Sequence, residues 1–292
     1  MSDEFDLQRD AVRRSFADAA DTYDEVAALQ REVLARLLER LDVMPTTPAV
    51  VLDAGSGTGV GTRALADRFP RAQVIALDHA EPMARRARKR GRWLRPLSAV
   101  CADALRLPLR DASVDLVFSN LMLQWLGAPD AAFREFLRVL KPGGRMLFTS
   151  FGPATLEELR DAWQAADDHV HVNRFIDMHD VGDALLRAGF RDPVMDAERM
   201  TLTYRDTMAL MRDLQAMGAH NVTEGRPHGL TGPRRLRAMQ AAYEARRTDG
   251  LLPATWEVVY GHASAPPAGT ALPTQAPGEA RVSAASIAVR KR

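Results

Sequence analysis

The chain has 292 residues, with 39 Lys and Arg against 38 Asp and Glu, a formal net charge of +1, 46% hydrophobic residues and one cysteine. Near-neutral charge and ordinary apolar content exclude a disordered or collagen-like chain and leave one large domain or two small ones. The lone Cys101 excludes an intramolecular disulfide and a cysteine-based zinc cluster. An acidic start, MSDEFDLQRD, and the lack of any run of ~18 apolar residues predict a soluble, cytoplasmic protein.

Residues 24 to 41 place Val26, Leu29, Val33, Leu37 and Leu41 on one helical stripe, ended by Pro45 and Pro48. Short apolar runs then alternate with helical segments. Strands are predicted at Val50 to Leu52, Val74 to Leu77, Leu97 to Cys101, Val114 to Ser119 and Arg145 to Phe151. Helices are predicted at Thr62 to Phe69, 81 to 92 and 130 to 140, the last closed by the Gly143-Gly144 pair. This alternation predicts an α/β fold, a parallel sheet with helices on both faces.

The second half predicts a helix at Val181 to Ala188 closed by Gly189, strands at Met200 to Tyr204 and Thr255 to Tyr260, and a helical insertion between them. Residues 263 to 280 hold six Ala, four Pro and two Gly, which predicts a flexible loop. Four regions are expected: a helical lid over 1–44, a core over 45–205, an insertion over 206–252, and a final strand and tail over 253–292.

The central motif is Asp53-Ala54-Gly55-Ser56-Gly57-Thr58-Gly59, directly after a buried strand. Glycines there let the chain turn tightly and approach a ligand, with a helix N-terminus behind them. A carboxylate at Asp53 repels a pyrophosphate and accepts from an ammonium, which favours an amino-acid-bearing ligand. Asp78 closes the next strand 19 residues beyond Gly59, the spacing that reaches a ribose. Asp103, with Ala104, follows the third strand, where an adenine amino group is read. Any one of these is an ordinary loop residue or cap; together they converge on the carboxyl edge of the sheet.

These residues resemble the Rossmann-like class I S-adenosylmethionine-dependent methyltransferases over about residues 49 to 151. The resemblance assigns S-adenosyl-L-methionine, leaving as S-adenosyl-L-homocysteine, to Asp53, Gly55, Gly57, Gly59, Asp78, Met83, Asp103 and Ala104. It adds Asn120, Leu121, Gln124 and Trp125 from the loop after the fourth strand. That loop, Ser119-Asn120-Leu121-Met122-Leu123-Gln124-Trp125, lacks the Pro-Pro-aromatic arrangement of enzymes that methylate nucleobase nitrogens.

The segment Phe16 to Asp24, with Gln30, is similar to the lid of the malonyl-acyl-carrier-protein O-methyltransferases of biotin synthesis. So are His171 to Gly182, Thr201 to Tyr204, Gly218 to Asn221 and Trp256 to His262. This resemblance implies methyl transfer to the free carboxylate of a malonyl thioester on acyl carrier protein or coenzyme A. Tyr23 and Gln30 would then belong to the lid, and His171 and Arg174 to the carboxylate site. A carboxylate is ionised at pH 7, so no general base is expected, and no metal. The carrier is acidic, and its docking surface is expected on Arg234, Arg235 and Arg237 or Arg246 and Arg247 rather than on the seven basic residues within 85 to 95. Of 39 basic residues, 36 are Arg, which weakens any argument from an arginine cluster. Cys101 is expected as a small core residue. No membrane or nucleic-acid partner is expected, and the sequence leaves the oligomeric state open. The rival readings are a C-methyltransferase of a quinone precursor, a more distant RNA methyltransferase, and a catalytically silent cofactor-binding subunit.

Overall fold

A computed structural model describes residues 9–44, 46–217 and 232–269. Its centre is a seven-stranded sheet in the order β3-β2-β1-β4-β5-β7-β6. The strands are β1 (Val50–Ala54), β2 (Gln73–Asp78), β3 (Ser98–Cys101), β4 (Val114–Ser119), β5 (Leu140–Phe151), β6 (Arg191–Tyr204) and β7 (Leu252–Ser264). The first five are mutually parallel, and β7 runs antiparallel to both β5 and β6. Chain order reverses between β1 and β4, which opens a crevice at their carboxyl ends.

Ten helices surround the sheet: α1 (Arg9–Ala19), α2 (Tyr23–Val26), α3 (Ala28–Arg40), α4 (Val60–Arg68), α5 (Glu81–Lys89), α6 (Pro129–Val139), α7 (Glu157–Gln164), α8 (Met178–Ala188), α9 (Thr207–Ala216) and α10 (Pro233–Glu244) among the described residues. Successive β1 residues point to opposite faces. Val51 packs into one core with α3, α7, α9 and α10, and Leu52 into the other with α6 and α8. Both side chains are fully buried, as sheet residues covered on two faces must be. The insertion belongs to the first core: Met239 and Tyr243 of α10 are buried, and the Tyr243 hydroxyl donates to the Pro253 carbonyl at 2.6 Å. Buried Glu158 ties α7 to β7 by accepting from the Thr255 amide at 3.0 Å and its hydroxyl at 2.5 Å.

Several expectations change. The strand expected at Met200 to Tyr204 begins at Arg191; β6 is an edge strand with a polar outer face, and Pro193 lies in its bulge, which masks the pattern. Similarly, β7 extends through Ser264 into the stretch expected to be flexible, while 270–280 lie outside the described residues. Gly143 has a positive φ of 75° but does not cap a helix: α6 ends at Val139, and Gly143 lies inside β5, whose pairing with β4 shifts register. Cys101 is exposed rather than buried, because β3 is the other edge of the sheet.

Candidate active site

Asp53 ends β1 with its side chain buried, and the Thr62 hydroxyl donates to it at 2.5 Å. Burial raises its carboxyl from 3.8 to about 7, Thr62 pulls against this, and Asp78 adds to it. Asp78 accepts from the Gly57 amide at 2.9 Å and the Ala80 amide at 2.8 Å, yet burial still raises it to about 6. A buried and a half-buried carboxylate held this way favour a ligand that brings hydrogen-bond donors and positive charge.

Around Asp53 lie Gln30, Ser56 and Asn120. The Gln30 amide donates to the Met217 sulfur at 3.1 Å, while its oxygen is buried with no partner among the described residues. Ser56 Oγ is likewise unpartnered. These orphaned acceptors beside a buried acid fit the ammonium of a methionine group. Gly57 has φ 53° and nothing within 4 Å of where a Cβ would stand, so a ligand can reach the backbone directly. Asp78 adjoins a second hollow lined by Met83, Asp103, Ala104, Leu121 and Trp125, which suits a nucleoside. Burial works to raise the Asp103 carboxyl, but Arg9 and the Leu105 amide hold it below the ordinary range. The residues present therefore fit S-adenosylmethionine.

Two residues expected here face elsewhere. Gly59 packs against α5, where an added Cβ would stand 2.5 Å from the Ala87 Cα. Gln124 donates to the Leu121 carbonyl at 2.7 Å and lines a different hollow. Asn120 is fixed by Thr149, a residue the sequence gave no reason to choose: the Thr149 hydroxyl donates to Asn120 Oδ1 at 2.9 Å and accepts from the Leu121 amide at 2.9 Å.

Residues of the N-terminal helices line both hollows. Tyr23 lines each of them, and its neighbour Asp24 accepts from the Thr58 hydroxyl at 2.6 Å. Arg90, the residue after α5, pairs with Asp24 and donates to the Thr58 carbonyl at 2.7 Å. One arginine thus ties the N-terminal segment to the glycine loop. Arg9 pairs with Asp103, Arg86 pairs with Asp21, and Phe16 packs edge-on against Trp125 at 5.3 Å. Sequence reading missed Arg90 because its partner is 66 residues away.

Trp125 also lines a cavity of about 670 Å³. Its walls come from α1, α7, α9 and β7, and are mostly apolar, with Phe151, Trp163, Met208, Met211 and Trp256 prominent. Among the described lining residues, His171 is the one side chain that can carry positive charge. Its ring stacks on Trp163 with centroids 3.8 Å apart and a 12° tilt, and its Nε2 lies 2.8 Å from Asp167 Oδ1. Burial opposes the Asp167 charge, but the His169 amide and His171 hold its carboxyl below the ordinary range. Asn173 is buried at the same wall. Arg174 is not: it is exposed and lines two neighbouring hollows instead of this cavity. His179, in the first turn of α8, is exposed, and its amide donates to the capping Asp177 at 2.8 Å.

Of the basic stretch at 85–95, Arg85, Arg86 and Arg90 are paired with acids, and Arg92 lies 3.7 Å from Asp67. In the insertion, Arg246 pairs with Asp161 and Arg247 with Glu244. The run Gly218 to Asn221 lies outside the described residues.

The reversed strand order, the glycine loop and the strand-end acids define a class I methyltransferase. Residues 52–148 match the family described as methyltransferase domain. A methyltransferase structure from Bacillus halodurans superposes with a TM-score of 0.57 at 20% identity, covering 80% of this chain and 98% of that one. A malonyl-[acyl-carrier protein] O-methyltransferase of Methylovorus sp. is 52% identical over 278 residues, 93% of this chain and 94% of the relative. Its counterpart in Halorhodospira halophila is 50% identical over 288 residues, 98% and 97% of the two chains. The chain belongs to the malonyl-[acyl-carrier protein] O-methyltransferase family. No helix among the described residues is long and apolar enough to cross a membrane.

Proposed function

We propose that the chain transfers a methyl group to the free carboxylate of a malonyl thioester borne by acyl carrier protein, forming the methyl ester that opens pimeloyl and biotin synthesis. Bound S-adenosylmethionine supplies the electrophilic methyl and leaves as S-adenosylhomocysteine. The observation that carries the reading is the His171-bearing cavity, which shares Trp125 as a wall with the hollow beside Asp78. His171, steadied by Asp167 and Trp163, holds the carboxylate, and Asn173 adds polarity beside it. Asp53, Gln30 and Asn120 orient the methionine end, Asp78 the ribose, and Asp103 with Ala104 the adenine. Tyr23 and α1 to α3 act as the lid. The carboxylate is already ionised, so alignment and exclusion of water are what the protein contributes, and charge is neutralised as the methyl moves.

The acidic carrier docks on the basic N-terminal half of α10, where Arg234 and Arg237 are exposed and Arg235 lies 3.7 Å from Asp167. Support for this side over the 85–95 stretch comes from pairing: Arg85, Arg86 and Arg90 are already held by acids. Charge reversal at Arg234 and Arg237 should raise KM for the carrier-borne substrate and not for malonyl-coenzyme A.

The test of the reaction is incubation with methyl-labelled S-adenosylmethionine and malonyl carrier protein, followed by mild base. Label released as methanol supports the ester. Base-stable label would favour carbon methylation, as in the quinone-precursor reading, and no label a silent subunit.

A further inference from the structure

The cavity that His171 lines is far larger than a malonyl group. Its volume of about 670 Å³ equals roughly 20 waters at ~30 Å³ each. A malonyl group has about six non-hydrogen atoms and fills about a third of that space. The lining is also divided by chemistry. Its polar side chains come from α1 and Thr22 just beyond it, from His171 and Asn173, and from Gln215. Everything else is apolar, and Phe151, Leu159, Trp163, Leu214 and Trp256 are buried members of one core cluster that spans β5, α7, α9 and β7. Phe151 packs against Trp256 and Phe175 with ring centroids 5.1 and 5.5 Å away, so the aromatic part of this wall is continuous. Met208 and Met211 of α9 add unbranched thioethers that adapt to what lies against them. Met208 is 39% exposed, which brings one part of the lining to solvent.

A malonyl group makes little use of such a wall. Its single methylene lies between a carboxylate and a thioester carbonyl, and both of these call for hydrogen-bond donors. A pantetheine arm matches no better, because its amides would be buried beside aromatic rings with few partners. A run of methylenes matches: each gains from apolar contact and needs no hydrogen bond. The chemistry sets no limit on length either. A carboxylate oxygen forms the new bond to the methyl carbon, the electron pair of the broken bond stays on the leaving sulfur, and no proton moves. Any ω-carboxylate is ionised at pH 7 whatever the length of the chain behind it.

We propose that this cavity accepts ω-carboxyacyl thioesters longer than malonyl, and that the enzyme esterifies glutaryl and pimeloyl chains as well. Their carboxylate lies beside His171 and their methylenes run along Phe151, Trp163, Met211 and Trp256. This rests on the reading of the site as a carboxyl O-methyltransferase of malonyl thioesters and widens its substrate class.

The experiment measures KM and kcat for malonyl-, glutaryl- and pimeloyl-coenzyme A, scoring the methanol that mild base releases from methyl-labelled product. Each methylene added against the wall should lower KM about threefold to fourfold. Glutaryl-coenzyme A should therefore show a KM about tenfold below that of malonyl-coenzyme A, and pimeloyl-coenzyme A a lower one still. The added contacts are the same before and during transfer, so kcat should change by less than about threefold. In the double variant Met208→Gln, Met211→Gln, whose side chains keep their length, the tenfold ratio should shrink to about threefold. A ratio between substrates does not depend on the fraction of protein folded, so a loss of stability cannot mimic this result. A KM that rises with chain length would overturn the proposal and give the cavity to the arm. Absence of ester from the longer thioesters would overturn it too, as would a ratio untouched in the double variant. Failure of the underlying reading looks different: malonyl-coenzyme A itself then yields no base-labile ester.

Discussion

Asp53→Asn separates the two demands placed on the first-strand acid. In the empty enzyme a carboxyl raised from 3.8 to about 7 binds its proton more tightly folded than unfolded. Its penalty is therefore absent below pH 4, grows as pH rises from the unfolded value through the folded one, and is complete above about pH 7. At about 1.4 kcal/mol per pH unit, that rise penalises folding at pH 8 by about 4 kcal/mol. Asparagine keeps an acceptor for Thr62 at 2.5 Å and removes the charge. Allowing for the loss of solvation detail, the empty variant should melt about 4–10 °C above the wild type at pH 8, and the gap should close toward pH 4.5. Its affinity for S-adenosylmethionine should fall at least tenfold, because the ammonium loses its charged partner. Thermal melts across this pH range and calorimetric titration of the cofactor measure both effects. A variant destabilised equally at pH 8 and pH 4.5, or one that binds cofactor like the wild type, would refute the reasoning.

Arg90→Ala should raise KM for S-adenosylmethionine about fivefold to tenfold with a smaller effect on kcat, since it frees Asp24 and the lid from the glycine loop; an unchanged cofactor KM would mean the lid is held without it. His171→Ala should raise KM for the malonyl substrate by about tenfold to a hundredfold while the cofactor Kd stays constant, and Asp167→Asn should move it in the same direction through the ring it orients. Met211→Trp, projecting into the His171 cavity, should lower kcat/KM for carrier-borne substrate about tenfold or more without altering cofactor binding, and a wild-type value would place the malonyl substrate elsewhere. Glu158→Ala leaves the Thr255 amide and hydroxyl without their acceptor, and the melting temperature should drop by about 4–8 °C, whereas Glu158→Gln should recover part of it.

The convergence of the residues proposed for the cofactor was readable in the sequence because its determinants are local. A strand followed by Gly55, Gly57 and Gly59 has few backbone solutions, and Asp53, Asp78 and Asp103 each follow a recognisable buried run. Parallel pairing then sets those run-ends side by side at one edge. Even here the sequence could not tell Gly57, which faces open space, from Gly59, which makes room for Ala87. Both have positive φ, and only the neighbouring helix separates their roles.

The acceptor half was not readable in the same way. His171 and Arg174 are three residues apart on an irregular segment, where no helical or strand period says which side chain turns inward. The stack on Trp163 and the bond to Asp167 bring His171 in, while Arg174 is left at the neighbouring hollows. The cavity draws on residues from Ser15 to Trp256, and no local pattern records an assembly of that span.

Length, a charge of +1 and a single cysteine set the class of molecule, and the spacing of glycines and strand-end acids set its fold and its cofactor, since backbone turns and strand ends obey short-range sterics. Tertiary structure alone decided what shares a wall with what. It tied Asp24 to the glycine loop through Arg90, turned Cys101 outward on an edge strand, and set Trp125 in the walls of both the His171 cavity and the Asp78 hollow. Those outcomes depend on packing between segments far apart in the chain, whose relative placement becomes fixed only when the two cores close around the sheet.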